Sequence, residues 1–381
     1  HRFPLLDKRG REWGLLTFDS GARSAQSTLL FYEDDIMHGS LEMGTEKNDS
    51  LRSVTVKVAG AVVAGPLVDD RTVFWKLSSS LWTRKNSPPE IGRHVWPFAF
   101  PIPSEVTNSG SPANFKLPES FLERHTRITV LYEISVIVTR GMFRTENHFK
   151  THVRYVPCTR PAPPSALRQR AYRLNQALPG PREDPDGWYT NGTAMAHGHV
   201  FRTRQAVVQC TAINLSPHYN IDNPFQLCYT RGSVIPCWIT LESGDVEALD
   251  LFAAPDALVV HLRRFVRHQT TSLVANQTGP TQSFTTLAPA AWWPKPEHDT
   301  TYTRTLEGEI RVPADSVSSS ATGQFSISYA VELFSPDSVG FTCTDSSALV
   351  SLPISIATMH ATNAPRPVAY APPSYDVFTP R

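Results

Sequence analysis

"LRSVTVKVAGAVV", residues 51–63, is the stretch that decides the fold of this chain. From Ser53 to Val58, three valines at even positions alternate with polar residues at odd positions. A period of two places the valines on one buried face of a β-strand and the polar side chains toward solvent. The stretch therefore predicts a strand in a half-buried β-sheet.

Two later segments predict a β-hairpin. "RITVLYEISVIVTRG" (127–141) is rich in β-branched residues, and "ENHFKTHVRYV" (146–156) has Phe149, Val153 and Tyr155 with polar residues between them. Gly141 lies in the turn region between the two strands.

Strand patterns resume in the second half of the chain after a proline-rich stretch, and turn-forming residues separate the strands. Many short strands in two blocks predict an all-β fold made of two antiparallel β-sandwiches in tandem. The predicted boundaries are residues 1–157 for the first sandwich, 158–198 for a Pro-rich connector, 199–358 for the second sandwich and 359–381 for a flexible tail.

The connector contains one segment that predicts a short helix. "SALRQRAYRLNQAL" (165–178) begins with Ser165, a favourable N-cap residue. Leu167, Ala171 and Leu174 fall on one side of such a helix, which predicts that this side is buried.

Composition excludes several classes of protein. The formal net charge is +1, whereas a dedicated nucleic-acid binder usually has a basic excess, so we expect no nucleic-acid partner. Five cysteines, an odd number with no close pair, favour reduced, packed thiols over a disulfide framework. No apolar run has the length of a membrane span.

The sequence contains little that indicates catalysis. It has no Gly-x-Ser-x-Gly elbow, no His-Glu-x-x-His, no phosphate-binding glycine loop and no Cys-x-x-Cys. We therefore expect a protein that is not an enzyme and that has no cofactor. His197 and His199 would share one side of a strand, but two ligands are too few for a zinc site. A solvated histidine pair is the favoured interpretation, and no metal site is predicted.

A basic strand offers one candidate contact surface. "RRFVRH" (263–268) places Arg263, Phe265 and Arg267 on one face of a strand. These arginines form a candidate basic contact patch for phosphate or lipid head groups. The competing interpretation is the solvated face of an edge strand, where basic side chains block unwanted pairing.

The tail carries the most informative motif, in "APPSYDVF" (371–378). Pro372, Pro373 and Tyr375 form a Pro-Pro-x-Tyr sequence that follows the last predicted strand. Two adjacent prolines favour the polyproline II conformation, which can lie in an aromatic groove of a partner without losing much backbone entropy. The motif predicts binding to a WW domain.

Several stretches together resemble the arrestin family, specifically the fungal α-arrestin-like proteins, over residues 27–358. "FYEDDIMHGSLEM" (31–43) with the Val-rich strand after it is similar to the early strands of an arrestin N-domain. "VWPFAFPIPSEV" (95–106) and "LPESF" (117–121) resemble further segments of that domain. "YTRGSVIPCWITLES" (229–243) is similar to the start of the arrestin C-domain, and "LEGEIRVPADSV…FSISYAVELFSP" (306–336) to the paired strands that follow.

The resemblance implies two immunoglobulin-like, arrestin-like sandwiches and an adaptor function. The Pro-Pro-x-Tyr motif would recruit a WW-domain HECT-type ubiquitin ligase to a membrane transporter or receptor, which is then ubiquitinated and endocytosed. The protein would be cytoplasmic and recruited to the plasma membrane and endosomes, with peripheral membrane association. Ubiquitin would also be a covalent partner if the adaptor is modified itself, and seven of the eight lysines lie in the first half of the chain.

Two alternatives remain open at this stage. One is an arrestin-fold sorting subunit that works without a ligase. The other is a secreted β-sandwich, either a carbohydrate binder or a hydrolase. The Asn-x-Ser/Thr sequons would matter for such a protein, and they begin at Asn48, Asn191, Asn214 and Asn276.

Overall fold

The computed structural model of the chain describes residues 1–6, 10–21, 28–45, 51–64, 71–85, 91–107, 114–123, 128–141, 147–190, 192–215, 226–270, 279–323, 325–336, 338–344 and 347–372. Within these residues the chain is mostly β-sheet, which confirms the predicted all-β sandwich fold. None of the helices in this part of the chain combines the length and the apolar character that a membrane span needs.

The chain divides into two compact units. The first comprises residues 1–158, 268–281 and 320–325, and the second comprises 159–267, 282–319 and 326–381. Almost all of the predicted connector therefore belongs to the second unit. The tandem arrangement of two sandwiches stays a prediction.

Two main sheets form the first unit. One contains the strands Arg2–Leu6 (β1), Glu12–Phe18 (β2), Ile36–Thr45 (β4) and Gly92–Pro101 (β7), in the order β1-β2-β4-β7. The other contains Leu29–Tyr32 (β3), Leu51–Ala64 (β5), Arg71–Thr83 (β6), Ile128–Arg140 (β11) and Asn147–Val156 (β12), in the order β3-β12-β11-β5-β6. A short strand Phe121–Glu123 (β10) pairs with β11, and Glu105–Thr107 (β8) pairs with Asn114–Lys116 (β9).

The alternating valines of β5 are buried, as the sequence predicts. Val56 lies opposite Val136 of β11, which in turn lies opposite Phe149 of β12, and both valines are fully buried. Phe3 of the other sheet contacts Phe149 with 5.9 Å between ring centroids, so the inner faces of the two sheets meet there. Each fully buried valine contributes about 1.5–3 kcal/mol of hydrophobic stabilisation.

Hydrogen bonds link twelve later strands of the chain into one curled sheet. These strands are Tyr189–Thr190 (β13), Ala194–Val200 (β14), Arg204–Leu215 (β15), Leu227–Thr230 (β16), Val234–Glu242 (β17), Val260–Thr270 (β18), Gly279–Pro294 (β19), Thr303–Arg311 (β20), Ser320–Ala321 (β21), Phe325–Leu333 (β22), Phe341–Cys343 (β23) and Val350–Ala357 (β24). The main order is β16-β24-β22-β18-β19-β20-β17-β15-β14-β23, with β13 paired to β15 and β21 paired to β22.

Two strand pairs depart from the predicted antiparallel pattern. β3 pairs in parallel with β12, and β16 pairs in parallel with β24. Parallel neighbours need a long crossover connection, and in each case more than a hundred residues separate the two strands along the chain.

Close packing in the second unit requires a glycine. Trp292 of β19 is almost completely buried and lies opposite Gly308 of β20. A Cβ atom at Gly308 would lie 2.5 Å from Cε3 of the tryptophan and 2.8 Å from the carbonyl oxygen of Ala291, closer than real contacts allow. Absence of a side chain at this position therefore lets the indole ring pack flat on the strand.

Two α-helices interrupt the strands in the described part of the second unit. They are Ala166–Leu174 (α1) and Val246–Phe252 (α2), and single turns of 3-10 helix occur at Pro185–Gly187 and Pro296–His298. The Ser165 hydroxyl accepts a hydrogen bond from the backbone N–H of Arg168 at 3.2 Å, which confirms the predicted N-cap.

The predicted buried side of α1 is wrong for its two leucines. Leu167 and Leu174 are 48% and 54% exposed, whereas Arg168, Ala171 and Tyr172 are buried. The ring of Trp188 next to α1 accommodates the arginine, so Arg168 is buried together with Ala171 and Tyr172.

The cysteines are thiols, as predicted. No disulfide joins any of the five, all of which the structure describes. Cys210, Cys228 and Cys237 are buried, and the other two are half-buried. Burial raises the pKa of Cys210 to about 12, which keeps this thiol protonated and unreactive.

Candidate functional site

The segment that leads to the Pro-Pro-x-Tyr motif is docked on the second unit. We call residues 359–370 the docked segment. At its start, the backbone N–H of Met359 donates to the Thr159 carbonyl oxygen at 3.0 Å, and the Thr230 hydroxyl donates to the Met359 carbonyl oxygen at 3.0 Å. Arg160 donates from Nη1 to the His360 carbonyl oxygen at 3.1 Å.

Prolines form the middle of this contact. Pro365 and Pro367 of the docked segment and Pro161 and Pro164 from the stretch before α1 line one shallow cavity, together with Thr230, Ser233, His360 and Ala361. Burial and the nearby Arg366 lower the pKa of His360, so the neutral ring is favoured in the docked state.

Tyr370 anchors the far end of the docked segment. Its ring stacks on Tyr172 of α1 with 6.3 Å between centroids and 22° between planes. It packs on the small apolar cluster of Ala171, Tyr172 and Leu178. Its backbone N–H donates to Oε2 of Glu309 at 2.7 Å, a short bond to a charged acceptor. Burial raises the pKa of the Tyr370 hydroxyl.

The predicted flexible tail, residues 359–381, begins with this docked segment, and its flexibility stays a prediction. As far as Tyr370 the chain is held by backbone hydrogen bonds and one aromatic stack. The sequence shows no periodic apolar pattern here because prolines and a single tyrosine, not a helix or strand, make the contact.

A buried arginine lies beneath this anchor. Arg168 of α1 is 0% exposed, and its guanidinium carbon lies 4.4 Å from the centre of the Trp188 ring. None of its three side-chain nitrogens has a hydrogen-bond partner among the described residues. Burial lowers its pKa, and Tyr172 and Asp184 oppose that shift. The stack on an indole face and the nearby carboxylate are the interactions that compensate the buried cation.

Only the first residue of the predicted binding motif is described. Pro372 is half-buried, two residues beyond the Tyr370 anchor. Pro373 and Tyr375 lie outside the described residues, and so do Asn48, Asn191 and Asn276 of the sequons. The motif as a WW-binding site stays a prediction.

The candidate basic contact patch, Arg263 and Arg267, does not lie on an edge strand. β18 is hydrogen-bonded between β22 and β19, so the edge-strand interpretation is wrong. Arg263 pairs with Glu332 at 3.2 Å and lies over the rings of Phe284 and Phe334 at 4.6 and 4.4 Å. Arg267 is exposed. Arg263 is therefore already engaged by one carboxylate and two aromatic rings of the second unit. The contact role of the two arginines stays a prediction.

The histidine pair lies on β14, where His197 is exposed and His199 is half-buried. Among the described residues, no three His, Cys, Asp or Glu side chains are grouped as a metal site would require.

Sequence patterns do not identify Tyr370 and Arg168 as residues of this site. Tyr370 is visible in the sequence as an isolated aromatic residue after "PRPVA", but nothing there shows what it packs against. Arg168 interrupts the apolar spacing of the helix, and its burial depends on Trp188, which is twenty residues away.

Comparison with models of protein families finds no match to this chain. A search among curated proteins finds no match either.

Proposed function

We propose that the chain is an adaptor that recruits a WW-domain ubiquitin ligase to a membrane transporter or receptor. The observation that carries this proposal is the position of Pro372, Pro373 and Tyr375. They directly follow a segment whose last described anchor, Tyr370, holds the chain on the second unit.

The binding step follows from the chemistry of the motif. The two prolines pack between aromatic rings of the WW groove, and the ring of Tyr375 fills a neighbouring pocket. The segment is already biased toward polyproline II, so little backbone entropy is lost on binding. An affinity of about 1–100 µM is expected, which corresponds to a binding free energy of about −8 to −5.5 kcal/mol.

The docked segment limits how far a ligase bound to the motif could lie from the second unit. One residue separates Tyr370 from Pro372, and a fully extended chain spans at most about 3.6 Å per residue. A WW domain on the motif therefore lies next to the second unit. Such a short tether gives a high effective concentration for a second contact, which compensates for a weak motif when cargo is bound at the same time.

The arrestin resemblance supplies the cellular setting of the proposal. An α-arrestin-like adaptor acts in the cytoplasm and at the plasma membrane and endosomes, where its ligase ubiquitinates cargo and endocytosis follows. If the adaptor is itself modified, the lysines of the first half are the expected acceptors. Mass spectrometry that places ubiquitin on Lys295 alone would contradict that expectation.

The experiment is a titration of a ligase WW domain with a peptide spanning residues 366–381, beside the same peptide with Tyr375→Ala. Saturable micromolar binding that the alanine peptide lacks supports the adaptor function. No binding by several WW domains would refute it. A partner complex that survives deletion of residues 371–381 would then favour the sorting subunit that needs no ligase.

A further inference from the structure

The outer face of the first unit's sheet β3-β12-β11-β5-β6 concentrates positive charge. Along β12 the outward side chains are His148, Lys150, His152 and Arg154, all exposed, while the residues between them face the core. The whole outward side of this strand is therefore basic or imidazole.

Neighbouring strands extend the same face. Lys150 lies opposite Ser135 of β11, Ser135 lies opposite Lys57 of β5, and Lys57 lies opposite Ser78 of β6. In the next row, Lys76 of β6 lies opposite Ala59 of β5, which lies opposite Glu133 of β11. Directly opposed residues share one face of a sheet, so these lysines point the same way. The small residues between them leave room for the long stems to reach outward.

Very little negative charge balances this face. Glu133 is the one carboxylate among the described outward residues of β5, β6, β11 and β12, and it pairs with Arg71 at 3.5 Å and with Lys150 at 3.3 Å. Lys57, Lys76 and Arg154 form no ion pair with any described residue. We call Lys57, Arg71, Lys76, Lys150 and Arg154 the basic face. Its formal charge, with Glu133 included, is +5 − 1 = +4, in a chain whose total is +1.

The shape of the basic face favours a planar anionic partner. From β12 to β6 there are three strand spacings of about 4.8 Å, and from His148 to Arg154 the chain rises about 20 Å, so the charges spread over roughly 14 by 20 Å. A peptide that binds a sheet usually pairs with an edge strand. β5, β11 and β12 are each hydrogen-bonded on both sides, and Lys57, Lys150 and Arg154 stand on their face, while Arg71 and Lys76 lie on the edge strand β6.

We propose that the basic face binds the anionic surface of lipid membranes. Lysine is a compact point charge on a flexible stem, suited to many weakly ordered phosphates and not to one bidentate pocket. Each Lys or Arg near an anionic bilayer lowers the free energy enough to raise partitioning about fivefold. This contact needs neither the Pro-Pro-x-Tyr motif nor a ligase, so it stands apart from the proposed function. It would hold the first unit at the membrane where cargo lies.

The test is co-sedimentation of the full chain with vesicles, with no ligase present. One set is phosphatidylcholine alone, and the other contains about one third phosphatidylserine. We expect binding to the anionic vesicles only, and weaker binding as salt rises from about 0.05 to about 0.2 M.

Matched variants identify the surface. The variant K57Q/K76Q removes two exposed cations without an ion-pair partner and keeps both stems, so we expect about a 25-fold lower partition coefficient. The control R170Q/R182Q removes two exposed arginines of the second unit and should bind as the unaltered chain does. Equal losses in both variants, or no binding to anionic vesicles at low salt, would overturn the proposal. Salt-sensitive binding of polyglutamate in the absence of vesicle binding would overturn it in favour of an acidic peptide partner.

Discussion

Tyr370→Ala should release the end of the docked segment while both units stay folded. The substitution removes the stack on Tyr172 and the burial of about half a ring, and leaves the backbone N–H that donates to Glu309. The aromatic pair contributes about 1 kcal/mol and the lost burial about another 1 kcal/mol. A loss of about 2 kcal/mol raises the undocked population roughly 30-fold.

Hydrogen exchange at residue 370 measures this directly, since the 2.7 Å bond to Glu309 protects that amide in the docked state. Protection should fall roughly 30-fold in the alanine variant. Tyr370→Phe is the matched control. The Tyr370 hydroxyl is buried without a hydrogen-bond partner among the described residues, so phenylalanine should protect the amide equally or better. Unchanged protection in the alanine variant, or an equal loss in the phenylalanine variant, would refute this account of docking.

Three further predictions concern residues of the second unit. In thermal melts, Gly308→Ala should destabilise the chain by about 1–3 kcal/mol, since the added Cβ would lie 2.5 Å from the Trp292 ring. The control Gly44→Ala should be neutral, because its added Cβ would have no neighbour within 4 Å. At about pH 8, mass spectrometry after iodoacetamide treatment should find the buried Cys210 and Cys237 unlabelled until denaturant is added, and labelling in the native state would contradict their burial. The pKa of His360 is lowered in the folded chain, so the unfolded chain binds more protons near pH 6. The free energy of unfolding should therefore fall as the pH drops below about 6.5, and it should fall less steeply in His360→Gln. Equal slopes in the two proteins would contradict the lowered pKa of His360.

The strands β5, β11 and β12 of the first unit were predictable because each carries a local signal. The valines of β5 alternate with polar residues, and this period alone fixes which face is buried. The N-cap of α1 was predictable for the same local reason, since a serine hydroxyl satisfies a backbone N–H three residues ahead.

Features that depend on distant residues were not predictable. The burial of Arg168 requires the indole ring of Trp188, and docking of Tyr370 requires Tyr172 and Glu309. No local pattern links positions so far apart in sequence. The parallel pairing of β3 with β12 was not predictable either, because the sequence of a strand does not indicate which other strand it pairs with.

The basic face was only partly predictable from the sequence. "HFKTHVRY" (148–155) has histidine, lysine, histidine and arginine at every second position, and this pattern alone indicates no more than a polar side of a strand. Their charge becomes meaningful when the register places Lys57 and Lys76 on the same side of the sheet.

The most direct test of the adaptor function is calorimetric titration of a ligase WW domain into the intact chain and into its Tyr375→Ala variant. We expect one site of micromolar affinity in the intact chain, and no detectable binding in a variant that melts at the same temperature. Binding that persists in the variant, or no binding to the intact chain when the peptide 366–381 binds, would contradict the claim that this motif recruits the ligase.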